Sequence, residues 1–578
     1  MTGALVVALG VGLAVVAADE NAPRDAATGA TSTRPGSARA PRPSDATTVP
    51  AAPGASSDPA APRRAAPDDA ATVLPARDGV SAAVQASRAV FAASPVVVLA
   101  AHDDQAAQLT GASAAVALGV PLLLTDDSGA AATEVTRLGA HAVLAVGDLG
   151  PTGLPDDVVV ARVAARAGAG ELRAVTGIPF GPRVAVAPGA HAKAVRALGA
   201  DPVPVLVPRG SGAAPAPTGT ADVLPRVVRA PRLPGVVAAT GVGVEPVAAL
   251  ATVRAASVPV LDLPGGDPRT SAASVRAVAR TAPQHVIAIG TRFGPADVLA
   301  RRVATAATGV QAPGGGQLVF PSGEGVARKR YVALYGTPGS AALGLLGEQD
   351  VPATIERARA FAANYARRTH DTVVPAVEAI ATIASAGPGP DGDYSRERSV
   401  AELRPLVEAA GEAGALVVLD LQPGRTDFLT QAKRYTELLE LPHVGLALDP
   451  EWRLRPDQVH LEQIGSVRVD EVDAVGDWLA DLTARNHLPQ KMFVLHQFAS
   501  SMISGRGLLD VSHDELAVVV HVDGQGTQRA KRGTWRTLRA DAPDVHWGWK
   551  NFVDEDRPML TVEQTLRVRP VPDLITYQ

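Results

Sequence analysis

The sequence contains no cysteine. That excludes a disulfide framework, a thiolate metal site or nucleophile, and anchoring through a lipidated cysteine. Neither sign of charge dominates, with 54 Lys and Arg against 59 Asp and Glu and a formal net charge of -5. No basic patch stands out, so neither a nucleic-acid partner nor electrostatic docking to an anionic membrane is expected. A positively charged leader is missing as well. Residues 3–18, "GALVVALGVGLAVVAA", nevertheless form an uncharged apolar run ending in small residues. It is short for a spanning helix and suits the apolar core of an export signal. The expectation for 1–18 is a signal peptide, with an uncleaved membrane anchor as the alternative, and hence a secreted or extracellular protein.

At 578 residues the chain is too long for one ordinary core. Residues 19–77 are Ala, Pro, Ser, Thr, Asp and Arg with almost no large apolar side chain. Such a segment buries too little to offset its chain entropy and reads as a disordered tether.

From 78 to 312 the sequence repeats itself. "SPVVVLAAHDDQAAQLTGASAAVALGVPLLLTDD" (94–127) with "EVTRLGAHAVLAVGDLGP" aligns with "PGVVAATGVGVEPVAALATVRAASVPVLDLPGG" (234–266) with "SVRAVARTAPQHVIAIGTRFGP". Continuous apolar runs of four to six residues alternate with Ala-rich stretches, the pattern of parallel strands buried on both faces and joined by helices. Residues 183–208 read as a worn third copy. The combination of "ASAAVALGVPLLLTDD", a helix ending in "RLGA" and the strand "HAVLAVGD" resembles the cell wall-binding repeat 2 family. The family's closing Gly-Gly is replaced by Gly147-Asp148 and Gly290-Thr291. The resemblance implies a Rossmann-like α/β domain that attaches to cell-wall polysaccharide or peptidoglycan, and an envelope-associated location.

Beyond 326 the composition shifts: all five Trp and all six Tyr lie past residue 330. Eight strand-like runs, at 331–336, 372–381, 415–422, 443–449, 491–498, 516–524, 544–552 and 574–578, alternate with amphipathic stretches such as 353–369 and 469–486. Eight alternations in about 250 residues predict a C-terminal (β/α)8 barrel over 326–578.

Residues two apart on a strand share a face, so Gly445, Ala447, Asp449 and Glu451 are predicted to point inward at the C-terminal mouth, where barrel active sites are built. Asp420, His496, Asp523, Trp452, Trp547, Trp549 and Tyr577 punctuate the ends of neighbouring strands. The Asp-x-Glu pair with Trp452 beside it, and "TYQ" closing the last strand, is similar to muramidase-type barrel lysozymes. Under that reading Glu451 is the proton donor with Asp449 or Asp420 as partner carboxylate. His496, Asp523 and Tyr577 position substrate, and Trp452, Trp547 or Trp549 stack on sugar rings. In the competing reading Asp449 caps the turn before Pro450 and Glu451 pairs with Arg453 or Arg455. Trp547 and Trp549 alternate with Lys550, so only one of the two sets can face the mouth.

His496, His521, Asp420 and Asp523 include N and O donors for a metal, but no pair has a diagnostic spacing such as HExxH, and no metal or nucleotide cofactor is expected. The expected protein is an exported envelope component with a wall-binding-like domain and a barrel that hydrolyses or binds a surface glycan. The alternative is a non-catalytic surface protein binding an envelope polymer or a protein. Oligomeric state is left open.

Overall fold

All eight expected barrel runs are strands: β1 (Lys329–Gly336), β2 (Thr372–Ala384), β3 (Leu416–Leu421), β4 (Val444–Leu448), β5 (Lys491–Gln497), β6 (Leu516–Val522), β7 (His546–Asn551) and β8 (Leu574–Tyr577). They appear in a computed structural model that describes residues 61–578 except 151, 211, 213–221 and 242–245. The expected leader and residues 19–60 of the expected tether lie outside the described residues. Neighbouring strands pair in parallel and in sequence order, and β1 pairs with both β2 and β8, which closes the barrel. Strand β2 outruns its predicted end. A bulge between Ile380 and Thr382 turns its tip toward an antiparallel partner, Ser395–Glu397.

Helices fill the connections as their sequences dictate. Asp350 caps Val351–Ala366 by accepting from Ala353 N, and Ser399 with Glu402 forms a capping box on Val400–Glu412.

The barrel bore divides into two layers. In the lower one, Tyr331, Ala333, Val374, Ala376, Leu416, Val418, Ala447, Met492, Val494, Ala517, Val519 and Leu574 form an apolar cluster. Gly445 is required there, because a Cβ would meet the Met492 carbonyl at 2.5 Å. The floor is sealed by the connector that precedes β1: Val319 inserts into the cluster, and the Tyr331 hydroxyl donates to its carbonyl. The buried Lys329 ammonium donates to the carbonyls of Pro313 and Leu318.

The N-terminal α/β region confirms the repeat in its topology. Val96–Ala101 lies between Leu122–Thr125 and Ala142–Val146, and Val236–Thr240 lies between Val260–Asp262 and His285–Ile289, the same order in each copy. The Thr252 hydroxyl joins the copies, accepting from Leu122 N and donating to Leu122 O. The worn third copy is a short parallel pair, Arg183–Val186 and Val205–Pro208, connected by the helix His191–Arg196. Residues 71–74 fell within the stretch expected to be tether. They form instead an edge strand, Ala71–Leu74, parallel to His285–Ile289. Main-chain pairing holds this strand, so it needs few large side chains. Among the described residues no helix is long and apolar enough to cross a membrane.

The described residues belong to one compact unit. Its α/β part meets the floor end of the barrel: Asp514, just before β6, pairs with Arg302 at 2.6 Å and with the buried Arg269 at 2.9 Å. A cavity of about 230 Å³ lies beside this cluster, lined in part by Asp267, Phe320, Gln490 and His546.

Lys491 opens β5 fully buried, its ammonium donating to the Leu441 carbonyl, and burial pushes its pKa down to about 7. Between about pH 7 and the ordinary lysine value near 10.4 the unfolded chain holds a proton that the folded one lacks, so this residue's contribution to stability rises with pH. Lys491→Met is therefore expected to gain stability relative to wild type below pH 7. The gain should shrink by up to about 1.4 kcal/mol per pH unit on going alkaline. Chemical denaturation at pH 6, 8 and 9.5 measures it; a difference independent of pH contradicts the assignment.

Candidate active site

Above the apolar layer every strand but one turns a polar side chain into the bore before it ends. Tyr335 comes from β1, Glu378 from β2, Asp420 from β3, His496 from β5, His521 from β6, Lys550 from β7 and Thr576 from β8; Asp449 follows β4 directly and Asp523 follows β6. All of them are buried. Alternation places them there: Tyr335 follows Tyr331 and Ala333, and Asp420 follows Leu416 and Val418, on faces already fixed by the layer beneath.

His496 is the hub. Its Nδ1 lies 2.9 Å from Asp523 Oδ2 and its Nε2 lies 2.8 Å from Glu378 Oε1 and 3.8 Å from Asp420 Oδ1. Burial opposes a charge on this ring, but Glu378, Asp420 and the bonds to Asp523 and Glu378 outweigh it and hold its pKa well above the ordinary value. Burial also opposes ionisation of Asp523, yet the bond to His496 brings its pKa below the ordinary value. His521 stands 3.3 Å from His496 and contacts the Thr576 hydroxyl at 2.9 Å; burial and the neighbouring His496 push its pKa well down, so it is neutral.

The three carboxylates expected to be catalytic lie around this hub. Asp420 Oδ2 accepts from the Tyr335 hydroxyl at 2.7 Å, and burial raises its pKa to about 6 against the pull of His496. Asp449 is 2% exposed, and burial together with Glu451 holds its pKa well above the ordinary value. Glu451, in the turn Pro450–Trp452, is less enclosed. Burial and the charge of Asp523 raise its pKa to about 7, opposed by Lys550. Three carboxyl oxygens among these groups, Asp420 Oδ1, Asp449 Oδ1 and Asp523 Oδ1, are buried without a hydrogen-bond partner. The solvent-exposed alternative does not describe the pair: Arg453 binds Glu471 and Arg455 lies by Asp457, and Asp449 makes no side-chain cap.

Other expected site residues lie elsewhere. Trp547 and Trp549 are on the outer face of β7, packed edge-on against Trp535 of the surrounding helix layer. The reason is volume. Between them Gly548 faces the bore, where a Cβ would meet the His521 ring at 2.5 Å, so the polar set points in and the indoles point out. Tyr577 is likewise outside, its hydroxyl 2.6 Å from that of Tyr365, and Thr576 takes the inward place. Trp452 remains at the rim, half-buried and edge-on to His460 at 5.2 Å. Sequence reasoning passed over Tyr335, Glu378 and Thr576. The available signal was a lone acid or hydroxyl in an apolar strand, in phase with its inward neighbours.

No family model matches the chain, and no curated protein does. Among solved structures, Cwp6 from Clostridium difficile aligns with a TM-score of 0.30 at 13% identity, over 61% of this chain and 62% of that one. The chain thus spans less than two thirds of that structure, and a likeness of this size carries no argument about function.

Gly548→Ala tests the packing beneath the site. The added methyl must displace His521 and its contact with Thr576, at an expected cost of about 1–3 kcal/mol. Denaturant unfolding reads the cost and the histidine ring resonances read the displacement; an unchanged midpoint with unchanged resonances contradicts it.

Proposed function

We propose that the barrel hydrolyses a glycosidic bond in an envelope polysaccharide, with Glu451 as the proton donor. The observation that carries this reading is the convergence of Asp420, Asp449 and Glu451 at one barrel mouth, where two of them have raised pKa values of about 6 and 7. Glycosidic cleavage requires that combination: a carboxyl that keeps its proton near neutrality beside one that is ionised. Among the described residues these three make no ion pair with arginine; the contacts of Asp420 are with His496 and Tyr335.

Glu451 raises the proton affinity of Asp449, and burial with Asp523 raises that of Glu451, so the pair retains a proton, and Glu451, the less enclosed, presents it to the leaving oxygen. The Asp420 carboxylate, oriented by Tyr335, supplies negative charge to the oxocarbenium-like centre. Trp452 at the rim offers an aromatic face to a sugar ring. The envelope part of the reading rests on the sequence pattern of the two α/β copies and its resemblance to wall-binding repeats.

Release of reducing ends from purified wall glycans tests the whole. Wild type is expected to be active and Glu451→Gln to lose about 10²–10⁴-fold in kcat. Because Glu451 must be protonated, wild-type activity should fall as pH rises through about 7. Equal rates for wild type and Glu451→Gln would remove Glu451 from the chemistry. No release by either would leave the mouth as a binding site.

A further inference from the structure

Acid chemistry at Asp420, Asp449 and Glu451 makes no use of Glu378 or His521, both fully buried in the same bore. Glu378 stands on β2, His496 on β5 and His521 on β6, so the first faces the other two across the barrel. One ligand-type atom from each lies within 4.8 Å of those from the other two. Around them acidic side chains outnumber basic ones: Glu378, Asp420, Asp449, Glu451 and Asp523 share the space with one lysine, Lys550, and the two imidazoles. The mismatch is local to specific atoms: Glu378 Oε2, Asp420 Oδ1 and Asp523 Oδ1 are each buried without a hydrogen-bond partner, in side chains more than nine-tenths buried. An orphaned carboxylate oxygen in a dry site is costly, and a cation is the ligand that satisfies several at once.

We propose that Glu378, His496 and His521 bind one divalent transition-metal ion in the barrel mouth. Two imidazole nitrogens and a carboxylate oxygen form a donor set for Zn²⁺ or Mn²⁺, whereas Mg²⁺ and Ca²⁺ favour oxygen alone. A ligating imidazole nitrogen carries no proton, so entry of the ion displaces the proton that His496 shares with Glu378. The Glu378 carboxylate then turns from a hydrogen-bond acceptor into a ligand. Asp420 and Asp523, both next to His496, add negative charge beside the ion, and Thr576 fixes the orientation of the His521 ring through its other nitrogen. Sequence spacing conceals such a site because its ligands come singly from positions 378, 496 and 521.

The test is a calorimetric titration of the chelator-stripped full chain with Zn²⁺, Mn²⁺ and Mg²⁺ separately, with bound metal counted by atomic emission. One Zn²⁺ or Mn²⁺ per chain is expected, with no comparable binding of Mg²⁺. Glu378→Gln and His521→Ala should each weaken binding by about 100-fold or more. His513→Ala, in the surface group Asp477, Asp510 and His513, should leave it unchanged. Circular dichroism establishes that each variant folds. If the interior variants fail to fold, the Co²⁺-loaded wild type is read by its visible absorption, where bands of nitrogen- and oxygen-ligated Co²⁺ are expected from wild type and from His513→Ala alike. Failure of wild type to bind Zn²⁺ or Mn²⁺ overturns the proposal. So does binding or Co²⁺ absorption that disappears with His513→Ala, or binding that persists in folded Glu378→Gln. The titration uses no glycan, so the ion site and the hydrolytic reading stand or fall separately.

Discussion

Hydrogen bonding of β1 to both β2 and β8 closes the wall, and the rest of the C-terminal part depends on that closure. An open parallel sheet would offer its alternate side chains to two broad faces. A closed one gathers half of them into a bore too narrow for water to solvate each separately. Once shut, the alternation within each strand decides everything that follows: Tyr331, Ala333 and Tyr335 share the inside, and Val332 and Leu334 meet the helices. The apolar lower layer does not react, but it aims the polar layer. Asp420 can stand against Tyr335 and His496 only because Leu416 and Val418 fix the height and rotation of β3.

The cost of so many ionisable groups in the upper layer is met by pairing and by protonation. His496 holds two carboxylates, and Lys550 lies over the Tyr335 ring at 3.5 Å from its centroid. What remains unpaired takes up protons, which is why burial drives Asp449 and Glu451 upward while Asp523, bonded to His496, goes down. Carboxyls of one barrel mouth thus differ in protonation because they differ in neighbours. A structural polar core would have satisfied its oxygens; here several carboxyl oxygens stay without a hydrogen-bond partner, which leads us to propose a ligand for the mouth.

Much of this was legible in the sequence, for a definite reason. Parallel strands covered on both sides are continuous apolar runs, so β1 to β8 stood out, as did the repeat within the α/β part. Asp420, Asp449, His496 and Asp523 were legible as inward groups because they interrupt those runs near their ends. Parity left the inward face undecided where a strand is short or carries bulky aromatics on one side. Strand β7, "HWGWKN", offers indoles on one side and His, Gly and Lys on the other, and only the space needed by His521 settles which goes in. At the end of β8 the inward place goes to Thr576, whose hydroxyl meets His521, while Tyr577 packs outside against Tyr365. Glu378 sits mid-strand and shows its role only when His496 arrives from three strands away. The strand at 71–74 was hidden because an added edge strand is held by main-chain bonds to a partner more than two hundred residues later in the sequence.

The two ends of the barrel are put to different uses. At the floor, Val319 and Phe320 plug the bore, Lys329 caps the plug's carbonyls, and Asp514 binds Arg269 and Arg302 of the α/β part. That end is committed to structure, and its buried lysines, Lys329 and Lys491, are driven toward neutrality by burial. The mouth, with its charged layer and the rim residue Trp452, lies at the opposite end of the strands. Docking one domain onto the sealed end leaves the other end free of it. If the α/β part holds a polymer, as its repeats lead us to propose, the same junction points the mouth away from the attachment domain. A substrate chain would then reach the carboxylates without crossing the domain that anchors them.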